Sequence, residues 1–201
     1  MLEISTRKVA QVALMARELG RAEGELRAFI DRLSMDEQAE ITAIMWIGRG
    51  SFEPEELAEA IETAKSEAST PTADYLIGTP HLADNIEAGL DALGVDYIEG
   101  GWPGANPTDN AFFDAAPKTT AKMTAFGMTK RPGMSAQNDD VLAAVLNAGT
   151  NSVCIVGKTH EFHVKTALGI TLDENLGLLR DSIAHIVASG REALFDAEHF
   201  F

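Results

Sequence analysis

A single cysteine, Cys154, stands in 201 residues, which excludes an intramolecular disulfide and a cysteine-rich zinc site. It lies in Ser152-Val153-Cys154-Ile155-Val156, a buried-strand pattern in which a thiol behaves as a small hydrophobe. Basic residues are also scarce: 16 Lys and Arg face 31 Asp and Glu, for a formal charge of −15. That balance argues against nucleic acid and anionic membranes as partners, since both need basic patches. No apolar run approaches the ~18 residues of a membrane span. The stretch from Met1 to Lys8 has no basic-then-apolar layout of a signal peptide. The expectation is a cytoplasmic protein.

The first 94 residues lack any convincing strand. Leu26, Phe29, Ile30 and Leu33 fall at helical spacing, and Val9, Val12, Leu14, Met15 and Leu19 form a broader apolar face that Gly20 is expected to end. Ser34-Met35-Asp36-Glu37 is a capping box opening a third helix that carries Ile41, Ile44 and Met45 and closes at Gly48-Arg49-Gly50. A fourth helix starts near Pro54, with Leu57, Ile61 and Ala64 inward. Shorter helices are predicted over 73–77 and 80–93. Trp46 reads as a core anchor and His81 as a residue at a helix start. Arg49, between two glycines, either binds an anion or belongs to a helix-terminating turn. This half holds 8 basic and 18 acidic residues, a net −10, which reads as a solvated helix surface.

From Val95 the rhythm changes. Short strands are predicted over 95–99, 121–127, 152–158 and 192–198, separated by helices over 107–116, 139–147, 161–168 and 172–189. Strands alternating with helices at this spacing are βα units of a parallel sheet. In a parallel (β/α) barrel the catalytic groups sit at the carboxyl ends of the strands. Glu99 and Glu198 both occupy such ends, and Gly100-Gly101 follows the first strand, where glycine admits a ligand close to the backbone. The expected organisation is therefore mixed: an all-α helical module over 1–94, then an incomplete α/β barrel of about four βα units over 95–201.

The motifs in the second half are specific. Ile98-Glu99-Gly100-Gly101-Trp102-Pro103-Gly104-Ala105-Asn106-Pro107, Ala125-Phe126-Gly127-Met128-Thr129-Lys130-Arg131, Gly157-Lys158-Thr159-His160-Glu161-Phe162-His163-Val164 and Asp196-Ala197-Glu198-His199-Phe200-Phe201 resemble the citramalate synthases. These belong to the isopropylmalate/homocitrate synthase family of metal-dependent barrels. The resemblance covers about residues 92–201. It implies an acyltransferase of branched-chain (isoleucine) amino-acid biosynthesis that joins acetyl-CoA to pyruvate by a Claisen condensation, with a divalent metal, Mg or Mn. By motif, Glu198 and Glu99 match the family's strand-end catalytic glutamates, and Gly101, Lys158 and His163 fall at substrate-binding positions. Each keeps a structural alternative: the glutamates as salt-bridged groups at the barrel mouth, His160 and His163 as a surface pair or metal ligands, and His199 as a local hydrogen-bond partner.

Residues 1–94 resemble a small bacterial helical family of uncharacterised function. That resemblance rests on Leu33-Ser34-Met35-Asp36-Glu37-Gln38, Ile44-Met45-Trp46-Ile47-Gly48-Arg49-Gly50 and Tyr75-Leu76-Ile77-Gly78-Thr79-Pro80-His81-Leu82-Ala83-Asp84. Two parts of the synthase pattern do not occur in these 201 residues: an Arg-Asp pair ending a strand, and a His-x-His metal motif. Arg180-Asp181 falls within a predicted helix and cannot substitute. A complete barrel takes roughly 250 residues. Activity of this stretch alone is therefore not expected, and no metal ligands are assigned. The open sheet edges offer a route to a homo-oligomer. The alternative function is a non-enzymatic helical interaction module carrying a passenger barrel fragment, the result of a fusion.

Overall fold

The computed structural model describes residues 2–115 and 117–200. Two compact units emerge: residues 1–98 with 115–121, and residues 99–114 with 122–201.

The first unit is built from helices α1 (Thr6–Arg17), α2 (Leu19–Ile30), α3 (Met35–Gly48), α4 (Leu57–Ser66), α5 (Thr72–Ile77) and α6 (Leu82–Ala92), with a 3-10 turn Pro54–Glu56 before α4. Ser34 accepts the Glu37 N–H while Glu37 accepts the Ser34 N–H, so the capping box at α3 is closed. Leu26, Ile30, Ile41, Ile44, Met45, Leu76, Ile86 and Leu90 are fully buried and form the bulk of the core. Helices α3 and α6 approach unusually closely: a Cβ on Gly48 would lie 1.7 Å from the Asn85 carbonyl oxygen, and one on Gly89 2.2 Å from that of Ile44. Only glycine permits that separation. Two buried carboxylates tie the unit's ends. Glu40 accepts the backbone N–H of Glu3 and Ile4, and Glu87 holds Arg17 and accepts the Lys118 N–H.

The expected stop at Gly20 is corrected. The first helix ends at Glu18, whose N–H turns back to Met15, and Gly20 and Gly24 both lie inside α2 with nothing packed where a Cβ would be. An exposed glycine costs a helix about 1 kcal/mol, too little to end one.

The second unit holds all but Tyr97 and Ile98 of a four-stranded parallel half-barrel sheet, with strands β1 (Tyr97–Glu99), β2 (Lys122–Met128), β3 (Ser152–Lys158) and β4 (Glu192–Glu198) in that order. Between them run α7 (Pro107–Asp114), α8 (Asp140–Asn147), α9 (Glu161–His163), continued by a π turn over Val164–Leu168, and α10 (Leu172–Ala188). The expected end of α7 at Ala116 lies outside the described residues, as do Met1 and Phe201. Pairing aligns Phe126 with Cys154 and Met128 with Val156, then Cys154 with Leu194, Val156 with Asp196 and Lys158 with Glu198. The period of two assigns the faces. Ala125, Val153 and Ile155 pack with Leu142, Val145 and Ile186 in the core. On the same face a Cβ at Gly127 would strike Val145, and one at Gly157 Leu179, so glycine lets α8 and α10 lie close. Cys154 falls on the opposite face and is half-buried, where the sequence pattern predicts full burial. β4 lies at one edge of the sheet, and Phe195 on it is 40% exposed.

Candidate functional site

Lys158 ends β3 and Glu198 ends β4, and the parallel register sets them side by side. Their side chains form an ion pair at 2.5 Å. Local contacts fix both strand ends. Thr159 donates its N–H and its hydroxyl, at 2.6 Å, to the Glu198 carbonyl oxygen. The buried Asn175 of α10 donates to the Lys158 carbonyl at 2.9 Å. Neither Thr159 nor Asn175 was singled out from sequence. Asn175 falls with Leu178, Ser182 and Ile186 on the buried face of α10, and a polar residue at that helical spacing was the available signal.

Three imidazoles gather around the pair. The His163 ring lies 4.4 Å from His199 and 5.5 Å from His160. His199 follows Glu198 in a left-handed conformation, φ 57°, which a non-glycine residue adopts at some cost in strain. Its Nε2 stands 3.6 Å from Glu198 Oε1. His160 caps the start of α9, its Nδ1 accepting the Phe162 N–H at 3.2 Å.

The electrostatics follow from these neighbours. The hydrogen bond from Lys158 lowers the Glu198 pKa, against desolvation, with further help from the Lys158, His199 and His163 charges. His163 titrates below an ordinary histidine because of desolvation first, then the neighbouring His199, His160 and Lys158; Glu198 opposes that shift. The cluster is thus an ammonium and a carboxylate locked together, beside a His163 imidazole shifted toward its neutral form.

Glu99 and Gly101 belong to a different part of the sheet. β1 is separated from β4 by two strands, roughly 14 Å along the sheet at the usual strand spacing. Gly101, buried with φ 110°, turns the chain after β1 and accepts the Phe126 N–H at 2.9 Å. Glycine there is required by the backbone. Glu99 acts at a distance on Cys154, whose thiol is pushed up to about 11 by burial first, then by the charges of Glu99 and Asp196. The structure therefore brings Lys158, His163 and Glu198 together and leaves Glu99 and Gly101 as a second locus. Arg180-Asp181 lies inside α10, Arg180 exposed and bonded to its neighbour at 3.3 Å.

Among the described residues no group of three or more His, Cys, Asp or Glu side chains is arranged to hold a metal ion. At the histidine cluster the Lys158 ammonium already occupies the Glu198 carboxylate, a cation where a metal would need a donor. The residues present do not fit a divalent metal.

Charged groups at the carboxyl ends of adjacent parallel strands are the arrangement of β/α-barrel enzyme sites. The chain is 46% identical over 116 residues to the (R)-citramalate synthase of Streptomyces coelicolor, covering 56% of this chain and 22% of the relative. The corresponding figures are 45% over 115 residues, 56% and 21% for that of Synechocystis, and 41% over 115 residues, 56% and 22% for that of Sulfolobus acidocaldarius. The chain thus spans about a fifth of the length of these curated relatives. A family model described as a protein of unknown function (DUF3775) matches residues 23–95. No solved structure matches. Among the described residues no helix is long and apolar enough to cross a membrane.

Proposed function

We propose that residues 95–201 are part of a citramalate synthase-type (β/α) barrel, joined to a separate helical module over 1–94. In this reading the barrel part retains a site for a short 2-oxo acid such as pyruvate and does not turn it over alone. The observation that carries it is the Lys158–Glu198 pair at adjacent strand ends. Lys158 would bind the oxo acid's carboxylate, His163 would flank it, and Glu198, with Glu99 at the other locus, would be the carboxylates carried over from the relatives. The full condensation converts acetyl-CoA, pyruvate and water to citramalate and CoA. The relatives' Mg or Mn would polarise the ketone, but the groups present here do not fit that ion, so no step is assigned to it.

Two measurements test this. Pyruvate should raise the thermal midpoint of the 201-residue chain, and Lys158→Met should abolish that shift. CoA release from acetyl-CoA and pyruvate, with Mg or Mn added, should stay at background. No pyruvate-induced shift removes the retained site, and turnover that Glu198→Gln abolishes removes the claim of inactivity.

A second reading, that the helical module is itself the working part, is favoured by its match to a family distinct from the synthases. Limited proteolysis separates the two: survival of only a fragment near 1–94 supports the second.

A further inference from the structure

The helical unit contains a cavity of about 330 Å³, within the range of small-molecule sites. Trp46, Arg49, Ser69, Thr70, Thr72 and Tyr75 are among the residues that line it. The aromatic side is rigid. Trp46 stacks on Phe52 with ring centres 5.6 Å apart and donates its Nε1–H to the Tyr75 hydroxyl at 2.7 Å. Because that hydroxyl oxygen acts as acceptor, its own proton remains to be donated, and among the described residues it meets no acceptor.

Arg49 supplies the charge. Its Nε donates to Ser51 at 2.8 Å, and its guanidinium carbon lies 5.9 Å from the Trp46 ring centre. Among the described residues no carboxylate lies within ion-pair distance of it, in a unit where Arg17, Arg27 and Lys65 are each paired. A guanidinium left with both terminal nitrogens open, beside an indole and a donor hydroxyl, is arranged to take a planar anion.

We propose that this cavity binds a small carboxylic acid with an apolar body. The carboxylate is held by Arg49 and the Tyr75 hydroxyl, and the body lies against Trp46. Ser69, Thr70 and Thr72 supply further hydroxyls around the polar part. Glu67 also lines the cavity and places a negative charge there. It suits an acid that carries an ammonium group as well, as an amino acid does. The site is independent of the Lys158–Glu198 cluster and uses the two sequence motifs, around Trp46-Arg49 and Tyr75, that the barrel reading leaves unexplained.

The test is calorimetric titration of the full chain with benzoate and with phenylalanine, followed in parallel by indole fluorescence. Binding of at least one is expected, weakened about tenfold or more in Arg49→Gln and unchanged in Lys158→Met. Arg49 is exposed, and its side chain meets the Ser51 hydroxyl and the Trp46 ring, so the variant is expected to keep the fold, which far-UV circular dichroism checks. Tighter binding of phenylalanine, lost in Glu67→Gln, assigns Glu67 to the ammonium; tighter binding of benzoate identifies a simple acid. No heat from either at about 10 mM, or binding undiminished in Arg49→Gln, overturns the proposal.

Discussion

The crossing of α3 and α6 gives a prediction whose sign opposes helix propensity. Gly89 sits within α6, where replacing glycine by alanine ordinarily stabilises an exposed helix by up to about 1 kcal/mol. Here the added Cβ would lie 2.2 Å from the Ile44 carbonyl oxygen, 2.9 Å from its Cγ2 and 3.0 Å from its carbonyl carbon. Two of those three atoms are backbone, so no rotamer change relieves the contact. The helices must part by roughly 1 Å to restore an ordinary carbon–oxygen distance. A gap of that size forfeits a quarter to a half of each dispersion contact along the seam, which includes the buried Ile41, Ile44, Ile86 and Leu90. Overpacking of this kind costs about 1–3 kcal/mol, and a rigid backbone obstacle puts Gly89→Ala near the upper end. Net of the propensity gain, a loss of about 2 kcal/mol is expected, or roughly 8 °C at about 4 °C per kcal/mol for a unit of this size. Gly24→Ala in α2 is the matched control, because nothing lies within 4 Å of its Cβ position. It should raise the midpoint by a few degrees. Thermal unfolding followed by far-UV circular dichroism measures both. A Gly89→Ala chain as stable as the wild type would refute a close-packed crossing, whatever the control does.

Asp139 is fully buried and accepts hydrogen bonds from the Arg131 N–H and Nε and from the N–H of Val141 and Leu142. Desolvation pushes its pKa up, but those bonds outweigh it and the net shift is downward. Its stabilisation is therefore present above the unfolded carboxylate range, near 4, and is lost as pH falls through the lower folded value. Glu37, lowered mainly by Lys8, and Glu198, lowered mainly by Lys158, act in the same window. Unfolding midpoints should fall steadily below about pH 4, and Asp139→Ala should cost about 2–3 kcal/mol at pH 7 while flattening that acid slope; a parallel slope in the variant counts against the assignment. Cys154, with its thiol near 11, should react with iodoacetamide at pH 8 on the order of a hundredfold more slowly than a free cysteine. Glu99→Gln should speed that reaction, and a rate indifferent to Glu99 would remove its charge from the thiol's surroundings.

The second half was more legible than the first because strands are short and punctuated. Ser152–Lys158 and Glu192–Glu198 begin and end where the sequence predicted. The first strand and the stretch after β3 were less so. Val95 and Asp96 precede β1, and the predicted helix over 161–168 is a single α turn running into a π turn, a distinction that side-chain spacing does not encode. In the helical half the capping box read correctly because both of its hydrogen bonds are local. The break at Glu18 carries no such local signal: no proline or capping serine marks it. The close approach at Gly48 and Gly89 was likewise invisible, since a glycine against a neighbouring helix looks in sequence like any other glycine. At the candidate site, the alignment of Lys158 with Glu198 depends on parallel register across 40 residues, which residue spacing could not supply.

That register bears on what Glu198 can do. A carboxylate held ionised by an ammonium is a weak base, and removing a thioester α-proton calls for a base whose pKa lies nearer neutrality. With Lys158 on it, Glu198 is arranged against proton abstraction. The arrangement changes if an anion takes Lys158 away: the hydrogen bond that chiefly lowers Glu198 is lost, and the carboxylate is left beside His163 and His199, both of weaker influence. On the proposed reading, binding of an oxo acid's carboxylate and the basicity of Glu198 would be opposite ends of one ion pair. Lys158→Met should raise the pKa of Glu198 even without ligand, seen by NMR titration of its side-chain carboxyl carbon. If that resonance titrates unchanged in the variant, Lys158 does not set the basicity of Glu198, and the two roles assigned to the pair must be separated.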